Sequence, residues 1–135
     1  SDVTLCHGSP RHPIWEYLLD PLTATSSFSY FETPFCFVGH THFPTIFFLN
    51  SHTQNAVLTI PEPFNPVSLS HRIILNSGSV GQPRDRDPRA SYAIYDTAAN
   101  TWENRRIPYD IRSVQERMLA AGLPARHISR LEAGL

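Results

Sequence analysis

Apolar residues in this chain form short continuous runs in the first half and alternate with polar ones later. Phe35 to Val38 and Thr45 to Leu49 have almost no polar break, the pattern of strands covered on both faces. Val3 to Cys6 is a shorter run of the same kind, ending at His7. Pro13 to Leu19 carries Ile14, Tyr17 and Leu18 at spacings compatible with a helix, which Pro21 should stop. Thr23 to Phe31 is Ser-rich and reads either as a loop or as a short helix capped by Thr23 or Thr25.

Asn50 to Asn55 then predicts a turn, with Ala56 to Ile60 returning as the second strand of a hairpin. Pro61 to Pro66 predicts a surface loop and His71 to Leu75 a further strand, followed by a Gly-containing loop from Asn76 to Arg84. Tyr92 to Tyr95 and Thr101 to Ile107 flank a turn at Thr97 to Asn100, a second hairpin. Asp110 suits the N-cap of a helix with Ile111, Val114, Met118 and Leu119 on one face, and Gly122 suits its end. Pro124 can open a last helix ending near Gly134. The central sheet and its hairpins are expected from Phe35 to Ile107.

Composition sharpens the picture. The chain has 135 residues, the size of one domain. Charged residues make up 17%, against roughly 25% in an average domain, which suggests a face meant to be covered. The net charge is -1 and all eleven basic residues are Arg. That leaves no polybasic footprint for a nucleic-acid backbone or a membrane surface. Cys6 and Cys36 read as buried free thiols rather than a disulfide framework. No signal peptide or membrane span is evident, so a cytoplasmic location is expected. The chain opens at Ser1, and loss of upstream sequence is a further expectation.

Chemistry concentrates in two strings that each follow an apolar run: His7-Gly8-Ser9-Pro10 and Gly39-His40-Thr41-His42. Imidazole is a common metal ligand because it is neutral near physiological pH and carries a directional lone pair. On spacing alone an H-x-H pair is weak evidence, since in a strand both rings would share a face. After a strand end the chain can turn, and the two rings can then be aimed differently. Arg11, Arg84 and Arg89 are candidates for holding a phosphate group, although Asp85 and Asp87 could simply pair with the last two. The Gly78 to Gly81 loop could offer N–H groups to an anion or merely supply positive φ. His12, His52, His71 and His127 are expected to have no catalytic part, and the aromatic run from Phe28 to Phe37 is expected to be core.

Four strings in order resemble the calcineurin-like metallophosphoesterases, in particular the bacterial branch related to diadenosine tetraphosphatases. They are Cys6-His7-Gly8-Ser9-Pro10-Arg11 with Glu16-Tyr17-Leu18, then Phe37-Val38-Gly39-His40-Thr41-His42-Phe43-Pro44. The third is Asn76-Ser77-Gly78-Ser79-Val80-Gly81-Gln82-Pro83-Arg84-Asp85 with Asp87-Pro88-Arg89. Ile107-Pro108-Tyr109-Asp110 with Ala121-Gly122-Leu123-Pro124 is the fourth. His12 and Ser77 depart from the family, which often has Asp and Pro there. The resemblance implies an α/β fold, an αββα sandwich of two packed mixed sheets flanked by helices. It implies that residues 1–135 are the C-terminal portion of one such domain.

By the same resemblance His7 and His40 would bind one divalent ion and His42 a second, the metals being Mn, Fe, Ni, Co or Zn. The family's D-x-H, G-D-x-x-D and G-N-H-D/E motifs, which supply the bridging carboxylate and the protonating histidine, do not occur in these residues. The expected function is therefore phosphate-ester hydrolysis at a binuclear centre of which this chain carries part. No catalytic acid is assigned within it. The N-terminal half would be its partner, in cis or in trans, and without it a sheet edge and an apolar face should lie open. The alternative is a non-catalytic interaction scaffold on the same fold.

Overall fold

A computed structural model describes residues 3–135. Strand β1 (Val3–Leu5) is followed by helix α1 (Pro21–Ser27) and a 3₁₀ turn at Phe28–Tyr30. Strands β2 (Phe35–Val38), β3 (Pro44–Leu49), β4 (Ala56–Thr59), β5 (Val67–Ser68) and β6 (Ile73–Ser77) come next. A long hairpin, β7 (Ala90–Asp96) and β8 (Thr101–Ile107), precedes α2 (Ile111–Ala120) and α3 (Ala125–Ala133).

The strands form a five-stranded sheet in the order β1-β2-β6-β3-β4 and a three-stranded sheet in the order β5-β8-β7. β1, β2 and β6 are parallel, whereas β3 runs antiparallel to both β6 and β4, so the larger sheet is mixed. The α/β sandwich expected from the sequence is the fold observed. Each central strand sends alternate side chains to opposite faces. From β2, β3 and β6, Phe35, Ile46, Ile73 and Leu75 join Trp102 of β8 and Leu69 in one core between the sheets. Cys36, Phe47 and Ile74 from the same strands join Leu18, Ala24, Phe28 and Phe31 in a second core under α1. Burial on both faces is why these strands read as unbroken apolar runs, and the aromatic run is core as expected apart from the exposed Tyr30.

The helix expected over Pro13–Leu19 does not form, and Pro21 starts a helix rather than ending one. Proline suits the first helical position, where its missing N–H is not needed. Asp20 caps that helix: its carboxylate accepts from Thr23 N at 2.9 Å and from the Thr23 hydroxyl at 2.7 Å, a role expected of Thr23 or Thr25. Residues 8–16 instead close a tight loop. Gly8 N donates to Pro13 O at 2.6 Å and Ser9 N to His12 O at 3.2 Å. A Cβ at Gly8 would sit 2.7 Å from the His12 carbonyl oxygen, so no larger residue fits without moving backbone.

β6 begins at Ile73, two residues later than the apolar run suggested, and β5 is too short to have left a pattern. Asp110 caps α2 through Ser113 N at 3.0 Å, and Gly134 ends α3 in the left-handed region, both as expected. α2 has no fully buried residue, whereas α3 buries Leu131. On β8 the inward positions include Asn104 and Arg106, a polar pattern that the sequence reading missed. Asn104 Nδ2 bonds Ser77 O, Ser91 Oγ and Tyr92 O, while Arg106 pairs with Asp85.

Candidate functional site

The carboxyl ends of β1 and β2 lie side by side because the two strands pair in parallel, with Leu5 opposite Phe37. Cys6 N donates to Phe37 O at 3.1 Å and Gly39 N to His7 O at 3.0 Å, so the pairing continues past both strands to the histidine motifs. In consequence His7 and His40, 33 residues apart in sequence, touch: His7 Nε2 lies 2.8 Å from His40 Nδ1 and the ring centroids are 4.7 Å apart. The Tyr17 ring packs on His40 at 4.3 Å, and Trp15 approaches it edge-on at 6.2 Å. Sequence reasoning gave neither aromatic ring a role.

His40 and His42 both adopt left-handed backbone, with φ of 63° and 61°. That is uncommon for residues with a Cβ, and Gln54, Phe64, Arg86 and Asn100 share it in this chain. Left-handed backbone at both positions breaks the extended repeat that would keep the two rings on one face of a strand. His42 Nδ1 is 2.7 Å from Gln82 O. Because a carbonyl can only accept, that nitrogen carries the proton and Nε2 keeps its lone pair. Burial pushes the His42 pKa down, opposed by the Gln82 hydrogen bond and reinforced by the charges of Arg84, His40 and His7. A neutral imidazole with an oriented free nitrogen is the form that ligates a metal.

The arginines are held by their own neighbours. Arg11 forks the Glu16 carboxylate, which also accepts from the Ser9 hydroxyl. Arg89 pairs with Asp87 at 2.6 Å. Arg84 bonds the Gln82 side chain at 2.9 Å and, among the described residues, has no ion pair. The N–H of Gly78 is taken by Asn76 Oδ1, and its positive φ, together with the close approach of Ser91 and Pro44, accounts for a glycine there. His12, His52 and His71 are exposed, and His127 is half-buried on α3. Cys6 is half-buried and Cys36 buried, their sulfurs 3.8 Å apart and both thiols free.

Glu16 gives a pH prediction. The Arg11 guanidinium, helped by the Ser9 hydroxyl, holds its carboxyl below the usual range. A depressed folded-state pKa contributes stability that is present above the unfolded value, about 4.3, and is lost as pH falls through the folded one. Replacing Glu16 by Gln is expected to flatten the stability profile below about pH 4. Urea midpoints across pH 2 to 6 check this, and parallel profiles for the two proteins would contradict it.

As metal donors the histidines fit part of a site. Nitrogens 2.8 Å apart can share one ion at bond lengths of about 2.1 Å. Among the described residues, no group of three or more His, Cys, Asp or Glu side chains is arranged to hold an ion. No described helix is long and apolar enough to cross a membrane.

No protein-family model matches the chain. It is 37% identical over 123 residues to the uncharacterized protein MJ0912 of Methanocaldococcus jannaschii, covering 90% of this chain and 47% of that one. A crystal structure of a metallophosphoesterase from Sphaerobacter thermophilus is 45% identical, with a TM-score of 0.94, covering 99% of this chain and 56% of that one. The hypothetical protein PH1004 from Pyrococcus horikoshii shares only the fold, at 19% identity and a TM-score of 0.65 over 98% of this chain and 46% of its own. The chain thus spans about half the length of the proteins it matches. Its fold is metallophosphoesterase-like, and the likeness in sequence and structure supports the metallophosphoesterase family.

Proposed function

We propose that this chain carries part of the binuclear metal centre of a phosphoesterase. The observation that supports the reading most is the contact of His7 with His40 at two adjacent strand ends, with His42 two residues on. In this reading His7 and His40 hold one ion and His42 the other, its free Nε2 oriented by the Gln82 carbonyl. Two divalent ions, when bound, supply Lewis acidity and a hydroxide at neutral pH for attack on a phosphate ester. Arg84 is the best placed of the three arginines to hold a phosphate, because its charge has no acidic partner among the described residues. Arg11 and Arg89 would first have to leave Glu16 and Asp87.

The remaining ligands would come from a further segment in cis or in trans, making this chain the C-terminal portion of the domain. Two observations support that division. The accessible surface is 7852 Å², against about 7,100 Å² expected for a monomer of 15.3 kDa. Large apolar side chains on β1 and after it are exposed, Leu5 by 75%, Trp15 by 79% and Leu22 by 81%. The test is metal-dependent hydrolysis. The intact protein containing this chain, stripped with chelator and reloaded with Mn, Fe, Ni, Co or Zn, is expected to cleave an aryl phosphodiester or phosphomonoester only when loaded. Failure with every metal on both esters would sink this proposal and favour the scaffold reading.

A further inference from the structure

The polar residue next to the last in the central strand of the larger sheet is almost wholly buried beneath the histidine turn. Asn76 is 1% exposed, and β6 lies between β2 and β3, so its side chain sits under the loop that joins those two strands. Both amide protons are used: Nδ2 donates to Gly39 O at 2.8 Å and to Thr41 Oγ1 at 2.9 Å. Its oxygen accepts from Gly78 N at 2.9 Å. The hydroxyl of Thr41, a residue 4% exposed, also accepts from Phe43 N at 3.3 Å. Asn76 thus grips the backbone just before His40 and the side chain between His40 and His42.

The same side chain starts the second loop. Gly78 has φ of +80°, and a Cβ there would meet Ser91 Oγ at 2.7 Å and Pro44 Cγ at 2.9 Å. That fixed turn leads to Gln82, whose carbonyl orients His42, and to Arg84, whose N–H donates to His42 O at 3.3 Å. Two histidines in left-handed conformation need such support, because that backbone region is unfavourable for them on their own.

We infer that Asn76 is a positioning residue for the metal site: through Gly39, Thr41 and Gly78 it sets the separation and aim of the His40 and His42 rings. The inference rests on the metal-centre reading above. It assigns a task to a buried amide whose every donor is spent on one loop. Outer partners that orient metal ligands typically change affinity by 10- to 100-fold when removed.

The test is Co²⁺ binding to the intact protein, followed by its visible absorption, with thermal unfolding recorded for each variant. Asn76→Ala is expected to weaken Co²⁺ binding by about 10- to 100-fold and to shift the absorption bands. Thr41→Val removes only one of the grips, so it covers the case in which Asn76→Ala does not fold, and it is expected to weaken binding severalfold. Folded variants whose affinity and spectrum stay within twofold of the parent, while His40→Ala abolishes binding, would overturn the positioning role alone. A parent protein that takes up no Co²⁺ would overturn the metal-centre reading, and this inference with it.

Discussion

Replacing His40 by Ala in the intact protein is expected to lower metal-dependent phosphodiester hydrolysis by about a thousandfold or more, equivalent to about 4 kcal/mol of transition-state stabilisation. The size follows from what His40 touches. It is the ring in contact with His7, and its turn is shared with His42, so on the proposed reading its loss would remove one ligand and loosen the setting of another. Stability should change far less, within about 1 kcal/mol, because His40 is only half-buried and lies outside both cores. His71, exposed and bonded to the neighbouring Ser70 hydroxyl, is the control whose replacement by Ala should leave turnover unchanged. Steady-state rates with matched metal content check the pair. Equal losses in the two variants would count against the site.

The second large effect concerns the 135 residues by themselves. Their hydrolysis of an aryl phosphodiester is expected to fall to about a thousandth of the intact protein's or below, since no carboxylate joins the histidines among the described residues. Supplying the remaining segment as a separate chain should restore both metal uptake and turnover. Apolar burial of roughly 25 cal/mol per Å² would favour association that covers exposed side chains such as Leu5, Trp15 and Leu22. Bound metal would add to it by linkage. Turnover by the isolated chain that His42→Ala abolishes would show that the site assembles without that segment.

The strands were legible in the sequence because burial on both faces leaves a continuous apolar run, which is why Phe35–Val38 is read with its true ends. β8 was placed equally well, but not for its core: Asn104 Nδ2 and the Arg106 guanidinium reach inward to partners that no periodicity encodes, while Asn104 Oδ1 and Arg106 Nε have no hydrogen bond among the described residues. Pro13 to Leu19 misled because apolar spacing is shared by helices and by loops whose side chains are held individually. Leu18 is buried there, yet Glu16 is fixed by Arg11 and Ser9 rather than by a helical ladder. Proline at the start of α1 looked like a stop because one residue type serves at both helix ends.

The histidines of the candidate site were legible as motifs after strands, and the contact between His7 and His40 follows from parallel pairing that one sequence does not display. Tyr17, Thr41 and Asn76 were not singled out as parts of a site. All three stood in the strings that carry the family resemblance, but with no role attached to any of them. Such residues acquire meaning once the topology sets β6 beside β2.

An anomalous-scattering map from crystals of the intact protein grown with Mn²⁺ tests directly whether the three histidines hold metal. One strong peak is expected within bonding distance, about 2.2 Å, of both His7 Nε2 and His40 Nδ1, and a second about 4 Å away beside His42 Nε2. Crystals in which manganese is absent from these nitrogens, with the His7 and His40 rings still bonded to each other, would contradict metal binding by these histidines.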